Sequence, residues 1–484
     1  MAGIIIVGLG PGHPGQLTLE AWDVLNQASE IYLRTNQHPT VSGLPEGLVI
    51  HSFDEFYEQE KDFSQVYQRI VETVLEIGKR PEGVVYAVPG HPYVAEATAP
   101  EIVRRAEIEG IEVRVIDGMS FLEPTFSALR IDPLPQTVIM DALELVPAYH
   151  PSFPPDVPVL ISQLYSVQVA GEVKITLMAQ YPDEHPVFLV TAAGTSYQNV
   201  EQLPLHEIDQ HGDLGLLTSL YLPPLGDFTS FEGFQDLIAH LRAPEGCPWD
   251  REQTHQTLRR NLLEEAYEAL NAIDRDDPVE MQEEFGDLLL QIVLQTQIAS
   301  EDGNFTMADV IRGIHTKLVR RHPHVFSDLD LKDAESVIKN WEKIKADERI
   351  ENGTAHKGLL DGIPLAMPAL SVADNYQRRA ARVGFDWPDI EGVFLKLEEE
   401  LAELREAETE EERRLEFGDL LFALVNLARW WGIDAESALR ETNAKFYRRF
   451  CKVEDSARGQ GKSLSDMTLQ EMDSIWENSK GDEN

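Results

Sequence analysis

The sequence predicts a multidomain protein in which an α/β part is followed by an all-α part built of helical bundle repeats. Three observations carry that expectation. Residues 1 to about 225 alternate short β-branched runs with helical stretches, as sheets covered by helices require. From about Phe231 onward apolar residues recur at helical spacing and strand signals become few. A carboxylate pattern then occurs twice in that helical part, about 130 residues apart.

Taken in order, Gly3–Val7, Gly83–Val88 and Ile111–Ile116 read as strands. Leu17–Ala28, Phe63–Gly78 and Ala95–Gly110 read as helices, so an α/β unit with largely parallel strands is expected. A second α/β unit is expected after the Pro-rich segment 151–158, with strands at Val159–Gln163 and Val187–Thr191. Leu222-Pro-Pro-Leu-Gly226 reads as a linker. Beyond it, Leu258, Leu262, Leu263, Ala266 and Leu270 form one apolar stripe, and Leu397, Leu401 and Leu404 another. Asn352–Pro368, rich in Gly and Pro, is expected to join the two repeats. The expected domains are residues 1–225, 230–350 and 368–480.

Composition narrows the function class. A net charge of −43 repels nucleic acid and anionic membranes, so neither is an expected partner. No apolar run is long enough to span a bilayer and no signal peptide is evident. Two cysteines, Cys247 and Cys451, exclude a thiolate metal cluster and fit a reducing cytoplasm.

The repeated pattern is a Glu-x-x-Glu followed by Glu-Phe-Gly-Asp. Glu265 and Glu268 precede Glu284 and Asp287; Glu400 and Glu403 precede Glu416 and Asp419. Spacing of i,i+3 puts each pair on one side of its helix. Four converging carboxylates repel one another unless cations sit among them, and an ion with oxygen ligands such as Mg²⁺ suits the set. A di-iron bundle expects Glu-x-x-His, which neither copy supplies. Downstream of each set lies a Lys-x-x-Arg-Arg cluster: Lys317, Arg320 and Arg321, then Lys445, Arg448 and Arg449. Such a cluster suits phosphate oxygens, or it completes a helix C-terminus.

The runs Arg242-Ala-Pro-Glu-Gly-Cys-Pro-Trp-Asp250 and Leu258-Arg-Arg-Asn-Leu-Leu-Glu-Glu-Ala-Tyr-Glu268 resemble the MazG nucleoside triphosphate pyrophosphohydrolases. Arg320-Arg-His-Pro-His-Val-Phe326, Asn340-Trp-Glu-Lys-Ile-Lys345 and Arg379-Ala-Ala-Arg-Val-Gly-Phe-Asp-Trp387 add to the likeness, which spans roughly residues 230–480. It implies an all-α bundle that forms homodimers and, with Mg²⁺ or Mn²⁺, converts (d)NTPs to monophosphate and pyrophosphate. On this resemblance both carboxylate sets are metal ligands. Glu400, Glu403, Glu416, Asp419 and Lys445 are the expected catalytic residues, the second copy being favoured. Lys317, Arg320, Arg321 and Trp341, and Lys445, Arg448, Arg449 and Trp476, are expected to meet substrate.

In the first part, strand Gly3–Val7 opens onto Gly8-Leu-Gly-Pro-Gly12, either a tight turn or a ligand loop. It is neither a dinucleotide fingerprint nor a P-loop. Val88-Pro-Gly-His-Pro92 and Asp117-Gly-Met-Ser-Phe-Leu122 supply two more loops at strand ends, where open α/β sheets bind ligands. Together these resemble the tetrapyrrole (corrin/porphyrin) methylase superfamily, and the whole chain a YabN-like fusion of such a domain to MazG. That implies two subdomains with S-adenosylmethionine between them. Leu9, Pro11, Pro89, Gly90, His91, Val94, Ser120 and Phe121 would touch the cofactor, with Gln163 and Ala193 from the second subdomain. Many relatives carry Gly-Asp-Pro where this chain has Gly90-His91-Pro92. A competing expectation is a methyltransferase whose helical half is a dimerisation scaffold.

Overall fold

A computed structural model describes residues 3–60, 62–210, 212, 214–327, 329–331, 333–351, 358–364 and 366–481. The chain divides into two compact units, Met1–Glu252 and Gln253–Asn484.

The first unit contains two five-stranded sheets. It opens with β1 (Ile4–Gly8), α1 (Leu19–Gln27), β2 (Glu30–Leu33) and β3 (Val49–Ser52). Then come α2 (Asp54–Gln59), α3 (Phe63–Gly78), β4 (Val84–Val88), α4 (Thr98–Glu109), β5 (Val113–Ile116) and α5 (Leu122–Leu129). Strand order is β3-β2-β4-β1-β5. Every pairing is parallel, with Ile4 of β1 opposite Val84 on one side and Val113 on the other. Parallel strands need crossover helices, which is why the sequence alternates here. The central strand β1 is buried along nearly its whole length, as its Ile-Ile-Ile-Val run requires.

The second sheet departs from the parallel expectation. It is built from β6 (Val138–Asp141), β7 (Val159–Ser162), β8 (Pro186–Thr191), β9 (Asn199–Pro204) and β10 (Thr218–Leu222), in the order β6-β7-β10-β8-β9. Helices α6 (Ala142–Leu145) and α7 (Val167–Met178) intervene. Only β6–β7 is parallel; the other pairings are antiparallel, because β8 and β9 are joined by a short loop and pair from Thr191↔Asn199 to Pro186↔Pro204.

Two helices with helical-half sequence pack with this unit: α8 (Phe231–Arg242) and α9 (Pro248–Glu252). Ser230 caps α8 by accepting the Gly233 N–H, and its hydroxyl donates to Asp156 Oδ2. Ile238 of α8 is buried.

The second unit is helical throughout its regular elements. Helices α10 (Arg259–Asp274) and α11 (Pro278–Glu301) form an antiparallel hairpin, followed by α12 (Met307–Arg321), α13 (Pro323–Phe326) and α14 (Ala334–Glu351). Then α15 (Ala369–Arg382) leads to a second hairpin, α16 (Ile390–Glu406) with α17 (Glu410–Trp430), and to α18 (Ala435–Gly459) and α19 (Leu469–Gly481). Asp277 before Pro278 caps α11, and a capping box of Thr409 and Glu412 starts α17. In the joining segment 352–368, residues 352–357 and 365 lie outside those described. No helix among the described residues is long and apolar enough to cross a membrane.

Candidate functional site

Each helical hairpin gathers its acids as the i,i+3 spacing requires. One oxygen from each of Glu265, Glu268 and Glu284 lies within 4.8 Å of the others, and so do oxygens of Glu400, Glu416 and Asp419. The remaining member of each set acts on the same site electrostatically. Partial desolvation, then a hydrogen bond with Glu268 and the charges of Asp287, Glu268 and Glu284, raise the Glu265 carboxyl. Desolvation followed by the charges of Glu268 and Asp287 raises Glu284. Desolvation followed by the charges of Glu403, Asp419 and Glu400 raises Glu416. Like charges held this close favour a bound cation.

The two sets are not equivalent. Glu400 is only 5% exposed and its Oε2 has no hydrogen-bond partner. Lys396, one turn earlier on α16, places Nζ 2.8 Å from Glu400 Oε1 and 2.8 Å from Glu399. The corresponding residue four before Glu265 is Asn261. The i,i+4 spacing of Lys396 and Glu400 was the available signal for that contact.

The basic clusters also differ. On α12, Arg321 pairs with Glu348 at 2.6 Å, and Arg320 pairs with Glu351 at 2.5 Å, both acids lying on α14. Arg321 and Lys345 lie over the Trp341 ring, at 6.0 and 4.0 Å from its centroid. The sequence gives no local sign of this partnership, which is made across about 30 residues. On α18, Lys445 and Arg448 are exposed and make no ion pair among the described residues. Arg449 lies 5.7 Å from the Trp476 ring centroid, and Phe446 packs against the same ring at 5.1 Å. Lys317 contributes its charge to Glu348.

In the first unit the loops after β1, β4 and β5 meet backbone to backbone. Gly10 and Gly90 exchange hydrogen bonds of 3.2 and 2.8 Å. A Cβ on Gly8 would lie 2.6 Å from the Gly118 nitrogen and 2.7 Å from the Gly90 oxygen, so only glycine permits this approach. Leu9 and Pro11 are buried in the first loop; Pro89, Gly90, His91 and Val94 lie in the second, and Ser120 and Phe121 in the third. A Cβ on Gly90 would meet open space, which leaves its backbone approachable. His91 Nδ1 accepts the Tyr93 N–H, and Nε2 lies 3.5 Å from Asp117 Oδ1. Ser120 donates to Glu123. In the second subdomain Gln163, at a positive φ of 63°, donates to Asp141 Oδ2 at the end of β6, and Ala193 follows Ala192, whose φ is 50°. Strained non-glycine residues at strand ends mark ligand crevices more often than chance. Asp117 opens the third loop motif but was not among the expected contacts, and Asp141, a lone Asp at the end of β6, carries no motif.

Comparison with known proteins follows the same division. The model of the tetrapyrrole (corrin/porphyrin) methylases matches residues 3–209, and that of the MazG nucleotide pyrophosphohydrolase domain matches residues 253–326. The second carboxylate set lies outside the latter match. Over 497 aligned residues the chain is 44% identical to the uncharacterized protein YabN of Bacillus subtilis, covering 99% of each. The chain belongs to the YabN family. It joins an α/β methylase domain to a helical MazG domain and is an enzyme of the hydrolase class through the latter. The nucleoside triphosphate pyrophosphohydrolase/pyrophosphatase MazG of Thermotoga maritima is 47% identical over 52% of this chain and 96% of its own. The nucleoside triphosphate pyrophosphohydrolase of Escherichia coli is 43% identical over 51% of this chain and 95% of its own.

Proposed function

We propose that the helical half hydrolyses nucleoside triphosphates, ribo or deoxy, to monophosphate and pyrophosphate, with Mg²⁺ or Mn²⁺ at the paired carboxylates. The observation that carries this reading is Glu400, a buried carboxylate with an unpartnered Oε2 beside Glu416 and Asp419. An all-oxygen donor set of this kind fits a hard divalent ion. When bound, the metal would acidify a water and neutralise charge on the leaving pyrophosphate. Glu403, exposed and outside the converging trio, would then be placed to accept a proton from the attacking water. Lys445 and Arg448 hold phosphate oxygens, and Trp476 with Phe446 offers an aromatic wall for the base. Arg320 and Arg321 are already engaged by Glu351 and Glu348, which favours the second set as the working one. Glu265, Glu268 and Glu284, with the charge of Asp287 beside them, offer a second cation site on the first hairpin. The deciding assay is pyrophosphate release from a nucleotide panel with and without Mg²⁺.

The α/β half binds S-adenosylmethionine on the three touching loops, through Leu9, Pro11, Pro89, Gly90, His91, Val94, Ser120 and Phe121, with Gln163 and Ala193 opposite. Support comes from the methylase match and from the open space beside Gly90, which leaves its backbone approachable. Calorimetry checks this, and no heat at millimolar cofactor removes it. The helical half pairs with a second copy of the chain. The three clusters of buried apolar side chains among the described residues all lie in the first unit. Phe285, Leu289 and Ile292 of α11 and Phe417, Leu421 and Leu424 of α17 remain exposed.

A further inference from the structure

Tetrapyrroles on their biosynthetic routes carry several acetate and propionate groups, and holding such a polyanion calls for Arg or Lys at the crevice. This chain has almost none to offer. Between Arg130 and Arg242 the one Lys or Arg is Lys174, and its Nζ sits 2.7 Å from both oxygens of Asp209. The loops after β1, β4, β5, β7 and β8 (residues 9–18, 89–97, 117–121, 163–166 and 192–198) contain no Lys or Arg. After β2 the lone cation is Arg34, whose guanidinium already serves Glu96, Tyr57 and Tyr67. The strand ends instead carry Asp117 and Asp141, with Glu123 in the first turn of α5.

What these loops do hold is neutral hydrogen-bonding capacity. The loops after β1, β2 and β8 interlock. A Cβ on Gly12 would lie 2.9 Å from Thr195 Cγ2 and 3.6 Å from Pro39 Cγ, and one on Gly194 would lie 2.6 Å from Gln16 Nε2. Within these segments Gln16 Oε1, His38 Nδ1 and Thr40 Oγ1 are buried without a partner. Thr40 is fully buried and His38 is 7% exposed. Buried polar atoms in folded proteins nearly always have a partner, and these three have none, so the adjoining loops offer neutral acceptors and no cation. Burial pushes His38 down to about 4, so it adds no positive charge at neutral pH.

We propose that this crevice receives an uncharged, amide-type ligand that donates N–H hydrogen bonds, in place of an anionic tetrapyrrole. The proposal rests on reading the α/β half as a cofactor-binding methylase domain. It is tested on the full chain loaded with S-adenosylhomocysteine, using two matched probes. Uroporphyrin bears carboxylates around its ring, and its full amide derivative keeps the same skeleton with N–H donors. Binding is read from the Soret band. The amide is expected to bind at least tenfold tighter than the carboxylate, a margin of about 1.4 kcal/mol. A Gln16→Arg, Thr195→Arg double variant is expected to reverse that order. Tighter or equal binding of the carboxylate by wild type would overturn the proposal, as would failure of both probes to bind or an unchanged order in the variant. S-adenosylmethionine calorimetry on both proteins checks folding and separately judges the cofactor reading.

Discussion

Glu400 concentrates the chemistry of the second acid set in one side chain. One oxygen is held by Lys396 and the other is desolvated without a partner, an arrangement that costs more than an ordinary hydrogen bond returns. Glu400→Gln keeps the shape and removes the charge. Nucleotide hydrolysis is expected to fall at least about 100-fold, with an unchanged circular dichroism spectrum. Wild-type turnover in that variant would remove Glu400 from the site. His38 supplies a pH signature in the other unit. Its folded value near 4 lies below the ordinary 6.5, so the unfolded chain binds the proton more readily in that window. Stability from this group is therefore complete above pH 6.5 and is lost as pH falls toward 4. Between pH 7 and 5 the loss is about 2 kcal/mol. Urea unfolding of wild type and His38→Gln should show that difference shrinking in the variant.

At the scale of elements, the first helix of helical-half sequence is tied to the first unit through its cap. Ser230 closes the start of α8 while bonded to Asp156, so Ser230→Ala is expected to destabilise the first unit by about 1 kcal/mol in denaturant melts. The acid hairpins α10/α11 and α16/α17 make a second prediction. Mg²⁺ should raise the melting temperature of the second unit by several degrees over an EDTA-treated sample, since it binds the folded arrangement alone. No shift with either Mg²⁺ or Mn²⁺ would argue against cation binding at both sets. Legibility in the sequence followed the range of the interactions. Helix α3 begins and ends where its apolar period does, and β1, β4 and β5 announce themselves by β-branched runs. The edge strand β3 is exposed along its length, and β9 mixes exposed, half-buried and buried positions without alternation, leaving no period-2 contrast to read. The antiparallel second sheet was equally hidden, because pairing direction depends on which strands meet and not on any strand alone. For the site, spacing placed the carboxylates together. The pairing of Arg320 and Arg321 with α14 is tertiary and left no trace in the local pattern.

Across the whole molecule, two units of opposite construction share one chain. The first buries its apolar side chains in three clusters, whereas the second leaves aromatic and aliphatic residues of α11 and α17 exposed. Burial against a second copy is the expected remedy, and light scattering should return twice the 54.5 kDa chain mass. A monomer at micromolar concentration would contradict it. The central claim is that the paired carboxylates perform nucleotide hydrolysis, and pyrophosphate release from a panel of NTPs and dNTPs tests it most directly. The wild-type chain should release pyrophosphate only with Mg²⁺ or Mn²⁺ present, and a Glu284→Gln, Glu416→Gln double variant should not. Equal rates for the two proteins would contradict the account.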